Sequence, residues 1–159
     1  MGDSNKQKVK SVLDQSYKIG IPGIDEQHNE IIFFCNEFLE HQEKGKTPPD
    51  FLETSLQQLS ECLKAHSSTE MSLMEMIEFP GIDEHKEQNK KVYKHFSGAL
   101  KAQKKGDNDE MNQCISAFRD AVLEHIAVWD TEYTAHIENL IVLKKKYNIS
   151  ANKAVVLTR

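Results

Sequence analysis

Several side chains able to bind a metal fall on stretches that otherwise read as apolar helix faces. Leu52, Leu56, Leu59, Leu63, His66, Glu70, Leu73 and Ile77 follow one another at spacings of three and four, which marks one buried helical seam. His66 and Glu70 interrupt it. A single imidazole on such a face is ordinarily a neutral, hydrogen-bonded ring. A carboxylate there costs several kcal/mol of desolvation unless it meets a cation or keeps its proton. Three further seams each carry an imidazole: His28 with Ile24, Ile31, Cys35 and Phe38; His85 with Asn89, Val92, Phe96 and Ala99; His125 with Met111, Ile115, Phe118, Val122 and Trp129. A metal is the explanation that accounts for four core histidines and a buried carboxylate together. Asp130 fits an ideal helix less well, because a residue five after His125 is rotated by about 140° from it. A local π-turn would bring both inward. Imidazoles and carboxylates without thiolate suit iron or manganese better than structural zinc, and the number of donors suits two ions bridged by the carboxylates. The Glu-x-x-His motif of ferritin-like dimetal sites is absent, since no histidine has a glutamate three residues before it.

The elements that must position these groups follow from the punctuation. Pro22, Pro48-Pro49, Pro80 and the run Lys105-Gly106-Asp107-Asn108-Asp109 divide the chain, and proline-free stretches between such marks can run as long helices. The pattern predicts helices over residues 25–44, 50–78, 83–104 and 109–137, opened by Asp25, Asp50, Asp83 and Asp109, which can accept from first-turn amides at the positive dipole end. Connections of a few residues make neighbouring helices antiparallel, so the expected fold is all-α, an up-down-up-down four-helix bundle. The fourth pattern continues to about Tyr147, so a bend or a separate C-terminal helix is expected after Ile137, with residues 138–159 as an extension. Residues 1–20 read as an arm in which only the segment 17–21 is ready to pack, and the whole of 1–159 as one domain. His28 and His85 then lie near the starts of the first and third helices, while His66 and Glu70 lie in the second half of the returning second helix. These levels are compatible with one site, the register of His125 in the long fourth helix being the loosest.

Composition narrows the function classes. With 159 residues the chain can bury roughly 70% of its unfolded surface, so a core needs no stapling metal and a metal would serve function. The formal charge of −5 leaves no basic stripe to displace counterions from phosphates, which argues against a nucleic-acid partner. No run approaches the ~20 apolar residues of a membrane helix, and the start MGDSNKQKVK is not followed by the apolar stretch of a secretory signal. A cytoplasmic location without membrane association is expected. Cys35, Cys62 and Cys114 are too widely and irregularly spaced for a disulfide framework and read as reduced thiols. Lys144-Lys145-Lys146 reads as a solvated helix end.

The run Gly20-Ile21-Pro22-Gly23-Ile24-Asp25-Glu26-Gln27-His28 resembles the opening signature of hemerythrins, especially bacterial ones. His66-Ser67-Ser68-Thr69-Glu70-Met71, then Phe79-Pro80 followed by His85, then His125-Ile126 with Asp130, are similar to the family's later motifs in the same order. The resemblance covers residues 17 to 136 and implies a four-helix bundle holding two iron ions, oxo- or hydroxo-bridged, that reversibly binds O₂. It further implies that Glu70 and Asp130 bridge the irons, that His28 and His66 hold the iron that receives O₂, and that His85 and His125 belong to the other. Two departures stand out. Asn89 occupies the position, four residues after His85, where the family has another histidine ligand. That change would open a second coordination position and favour oxidase or peroxidase turnover, with peroxide or small anions as partners, over reversible storage. Ala121 stands where bacterial relatives often have Trp. His95 is about 80° off the His85 face, and His41, His95 and His136 read as surface or ordinary packing residues.

Overall fold

A computed structural model of the chain describes residues 12–45 and 47–147. Every regular element among the described residues is helical: a 3-10 turn Gln15–Tyr17, then α1 (Pro22–Glu43), α2 (Pro49–Met76), α3 (Ile82–Lys105), α4 (Asn108–His125), a π-helical turn Ile126–Asp130 and α5 (Thr131–Tyr147). The all-α four-helix bundle expected from the seams is the fold observed. α1 packs on α2 and α4, and α3 packs on α4 and α2. At one end of the bundle the ring of His41, late in α1, lies 4.0 Å from that of Phe51, early in α2, and Lys105 at the end of α3 pairs with Glu110 at the start of α4. The early residues of α1 and α3 accordingly meet the late residues of α2 and of the α4 segment at the opposite end.

The helix starts differ from the acid-led reading. α1 and α2 begin on Pro22 and Pro49, where the missing N–H is an orphan anyway and φ is already helical. Asp25 does not cap α1; it reaches back to accept from the amides of Ile19 (2.8 Å) and Gly20 (3.1 Å) and so fastens the incoming chain. Asp50 and Asp83 lie in first turns, where the dipole favours them without a cap bond. At α4 the cap is Asp107, which accepts from Glu110 N at 2.9 Å, not Asp109. α3 stops at Gly106, whose φ of 71° lets the amides of Gly106 and Asp107 return to the carbonyls of Gln103 and Ala102. α2 stops in the same way with Glu78 in the left-handed position, and this turn carries Phe79 into the core.

The core follows the predicted seams except at their ends, where Leu73, Ile77 and Trp129 are only partly buried. Ile24, Ile31, Cys35, Phe38, Leu56, Leu59, Phe96, Ala99, Ile115, Phe118 and Val122 are buried, but beyond Glu70 it is Met74, not Leu73, that is fully enclosed. A separate C-terminal helix is present but begins before Ile137: α5 runs from Thr131 to Tyr147, after the π-helical turn, with Ile141, Val142 and Leu143 exposed on it. Packing of the N-terminal segment begins earlier than residue 17, since the amides of Val12 and Leu13 donate to Asn29 Oδ1 at 2.7 and 2.9 Å and Leu13 is buried. Residues 1–11 of the expected arm and 148–159 of the expected extension lie outside the described residues. The cysteines are free, and burial pushes the Cys35 thiol up to about 12. Among the described residues no helix is long and apolar enough to cross a membrane.

α3 and α4 pack tightly at Gly98, where a Cβ would stand 2.8 Å from Cys114 Sγ. Glycine in a helix interior costs about 1 kcal/mol relative to alanine, so its presence here reflects contact with α4. In urea unfolding, Gly98→Ala alone is expected to lower stability by about 1 kcal/mol or more through overpacking. On a Cys114→Ala background the same change should be neutral or stabilising.

Candidate metal centre

Each bundle helix delivers its imidazole to one interior level. His28 comes from α1, His66 and Glu70 from α2 one turn apart, His85 from the first turn of α3, and His125 from the last turn of α4. Asp130 closes the π-helical turn that follows. That turn resolves the spacing problem posed by the sequence, because its wider winding returns a residue five positions on to the same face. Glu70, Asp130 and His28 are wholly buried, and His66, His85 and His125 nearly so.

All four rings turn Nε2 towards the carboxylates. His28 Nε2 lies 3.1 Å from Asp130 Oδ2, and His125 Nε2 lies 3.1 Å from Asp130 Oδ1. His66 Nε2 and His85 Nε2 lie 3.4 and 3.3 Å from Glu70 Oε2, and the Nε2 atoms of His85 and His125 are 3.2 Å apart. Donors at right angles around a transition metal, each ~2.1 Å from it, are about 3 Å from one another, so these separations fit the edges of a coordination shell. Hydrogen bonding alone does not account for them. Both Asp130 oxygens and His28 Nε2 lack an aligned hydrogen bond despite their close approach, and buried polar groups are rarely left in that state. The donors form two groups, His28, His66, Glu70 and Asp130, and Glu70, His85, His125 and Asp130, each with ligand atoms within 4.8 Å of one another. Both carboxylates belong to both groups.

The surroundings bias Asp130 and His66 towards their metal-ready forms. Burial works to raise the Asp130 carboxyl, but contacts with His125 and His28 outweigh it and hold the group well below the usual carboxylate range. Burial lowers His66, against the opposing pull of Glu70, keeping that ring neutral more readily. His85 moves the other way: burial opposes its charge, but the hydrogen bond to Glu70 and the charges of Glu70 and Asp130 raise it.

Two neighbours of the cluster were not singled out as site residues from the sequence. Tyr133, wholly buried, donates its hydroxyl proton to Glu70 Oε1 at 2.8 Å; burial, reinforced by the charges of Glu70 and Asp130, raises its phenol far above the ordinary value. Gln27 places Oε1 3.4 Å from His66 Nδ1 while its amide donates to Thr69 Oγ1 at 3.0 Å. The signals available were the placement of Tyr133 one turn after Asp130 and of Gln27 beside His28. Asn89 is buried and lines a cavity of about 20 Å³ with His28, His66, His125 and Asp130. Ala121 packs at the edge of the core and is not among the residues lining that cavity. His95 is exposed, His41 stacks on Phe51, and His136 Nε2 lies 3.1 Å from the carbonyl of Ile77, all outside the cluster.

The family described as Hemerythrin HHE cation binding domain matches residues 20–137. Neither a curated protein nor a solved structure gives a match to the chain. The matched span runs from the segment before α1 through the π-turn into α5 and contains all six clustered donors. The chain belongs to the hemerythrin family.

Proposed function

We propose that this chain is a non-haem di-iron protein that binds O₂ at a carboxylate-bridged iron pair. The observation that carries the reading is the double membership of Glu70 and Asp130, since two donor groups sharing two buried carboxylates fit a pair of ions better than one. His28 and His66 would hold one iron, His85 and His125 the other. Bound iron supplies the electrons and Lewis acidity that O₂ binding requires.

The chain's own residues support the rest. Ile31, Leu63, Val92, Val122 and Ile126 form the apolar part of the wall of the cavity beside the cluster. Its volume of about 20 Å³ suits a molecule of one or two heavy atoms. Tyr133 keeps its proton and directs it at Glu70, which fixes that carboxylate's orientation, and Gln27 and Thr69 steady the His66 ring.

A second reading, oxidase or peroxidase turnover, is favoured by Asn89. With an amide at that position each donor group has two imidazoles and two carboxylates, so neither half of the centre is saturated by nitrogen ligands. Metal analysis of iron-loaded protein should approach two equivalents per chain; a reproducible value of one makes the site mononuclear. An anaerobic-to-aerobic optical titration separates the two readings. A carrier shows an O₂-induced change that reverses under vacuum, whereas an oxidase or peroxidase passes to stable diferric protein and consumes added peroxide. Tyr133→Phe leaves a buried Glu70 oxygen without its donor, at a cost of about 1–3 kcal/mol of stability. It should also weaken iron retention by about 10- to 100-fold, measured by competition with a chelator.

A further inference from the structure

Two hollows meet between α2 and α3. One is a surface cleft of about 550 Å³ with Ser67 and Met71 of α2 on one side and the start of α3 on the other. The second is the small cavity beside His28, His66 and Asp130. Asn89 and Tyr93, one helical turn apart, line both. Their polar tips are poorly satisfied by protein. Asn89 is 8% exposed, and its amide makes no hydrogen bond to any described residue. The Tyr93 hydroxyl is buried without an aligned partner, next to Ser67 on the cleft side. Groups this deep are normally paired with protein or water, so an amide and a hydroxyl left open along one line mark a wet seam through an otherwise aliphatic wall.

We propose that Asn89 and Tyr93 form a polar gate through which small polar molecules, such as peroxide or azide, pass from the α2–α3 cleft to the metal centre. The amide can both donate and accept, so it hands on a polar molecule without stranding its hydrogen bonds. Along the cleft, Asp83, Glu84 and Glu87 are interleaved with Lys86 and Lys90, a mixed field that selects for small size more than for charge. The gate rests on the metal reading of the cluster but not on reversible O₂ binding.

Stopped-flow mixing of the iron-loaded full chain with azide tests this, because a gate alters the barrier and leaves the bound state alone. Asn89→Leu keeps the side chain's bulk and removes its polarity. Association and dissociation should slow together, each by about tenfold or more, with Kd within about threefold of the parent. Unchanged rates, or a shift in Kd carried by dissociation alone, would overturn the gate, the latter because Asn89 would then touch the ligand or the metal. In Asn89→Cys, a methanethiosulfonate reagent should add one label beyond the parent's own cysteines and slow azide uptake until the label is removed. Absence of that label, with or without iron, means the cleft does not open onto this position and overturns the proposal. If the parent shows no azide-dependent band, the metal reading fails and the gate with it; a normal band indifferent to both variants removes the gate alone.

Discussion

Two carboxylates enclosed in an apolar bundle are the constraint on which the rest of the structure turns. Glu70 and Asp130 are wholly shielded from water, and among the described residues the basic groups touching them are four imidazoles, whose protonation would itself be costly at that depth. Such a cluster contributes little to folding stability by itself. The aromatic and aliphatic layer further along the bundle, where Phe38, Phe96, Ile115 and Phe118 are buried, supplies the apolar burial that holds the helices together. The bundle therefore has two halves with different tasks: one is a packed core, and the other keeps polar donors at separations that hydrogen bonding alone does not explain.

The π-turn is the local distortion this arrangement demands. An unbroken α-helix through residues 125–130 would send either His125 or Asp130 outward, removing a donor from one group or a shared carboxylate from both. Adding one residue to the turn keeps both on the inner face and also sets the phase of α5, so that Tyr133 arrives under Glu70. Backbone groups loosened by the turn find side-chain partners: Thr131 Oγ1 donates to the carbonyl of Val128 at 2.9 Å and Thr134 Oγ1 to that of Asp130 at 3.0 Å. These threonine bonds stabilise a winding that the backbone ladder alone would not favour.

Much of this was legible from residue order because buried polar residues on a helical seam are conspicuous. His66 and Glu70 stand out among leucines, and the spacing of His125 and Asp130 already makes a π-turn the way to bring both inward, which the structure contains. What escaped depended on partners distant in sequence or on backbone detail. Tyr133 looks like an ordinary core aromatic until α5 is placed against α2, where its partner is 63 positions away. A seam advancing by three or four cannot decide between Leu73 and Met74, because both continue from Glu70 and only the packing of the α2 end chooses. The helix starts were misread for a chemical reason: prolines pre-set the first turns of α1 and α2, which left Asp25 free to fasten the incoming chain.

Position 89 shows how one residue can alter the solvent regime of such a centre. It lies one turn after His85 on the inner face of α3, so an imidazole there would aim another nitrogen at the cluster and fill the space beside it. Asparagine is shorter, and its amide carries both a donor and an acceptor. Away from the His and Asp donors the cavity is walled by Ile31, Leu63, Val92, Val122 and Ile126, which suits an apolar gas, while the Asn89–Tyr93 line offers polar contacts that a gas does not need. Aliphatic walls favour O₂ by excluding water, and a polar seam favours molecules that carry their own hydrogen bonds. If the proposed di-iron reading holds, having both on one cavity would make the choice between carrying O₂ and turning over a more reduced oxygen species depend on the width and wetness of that seam, while the donor set beneath it stays the same.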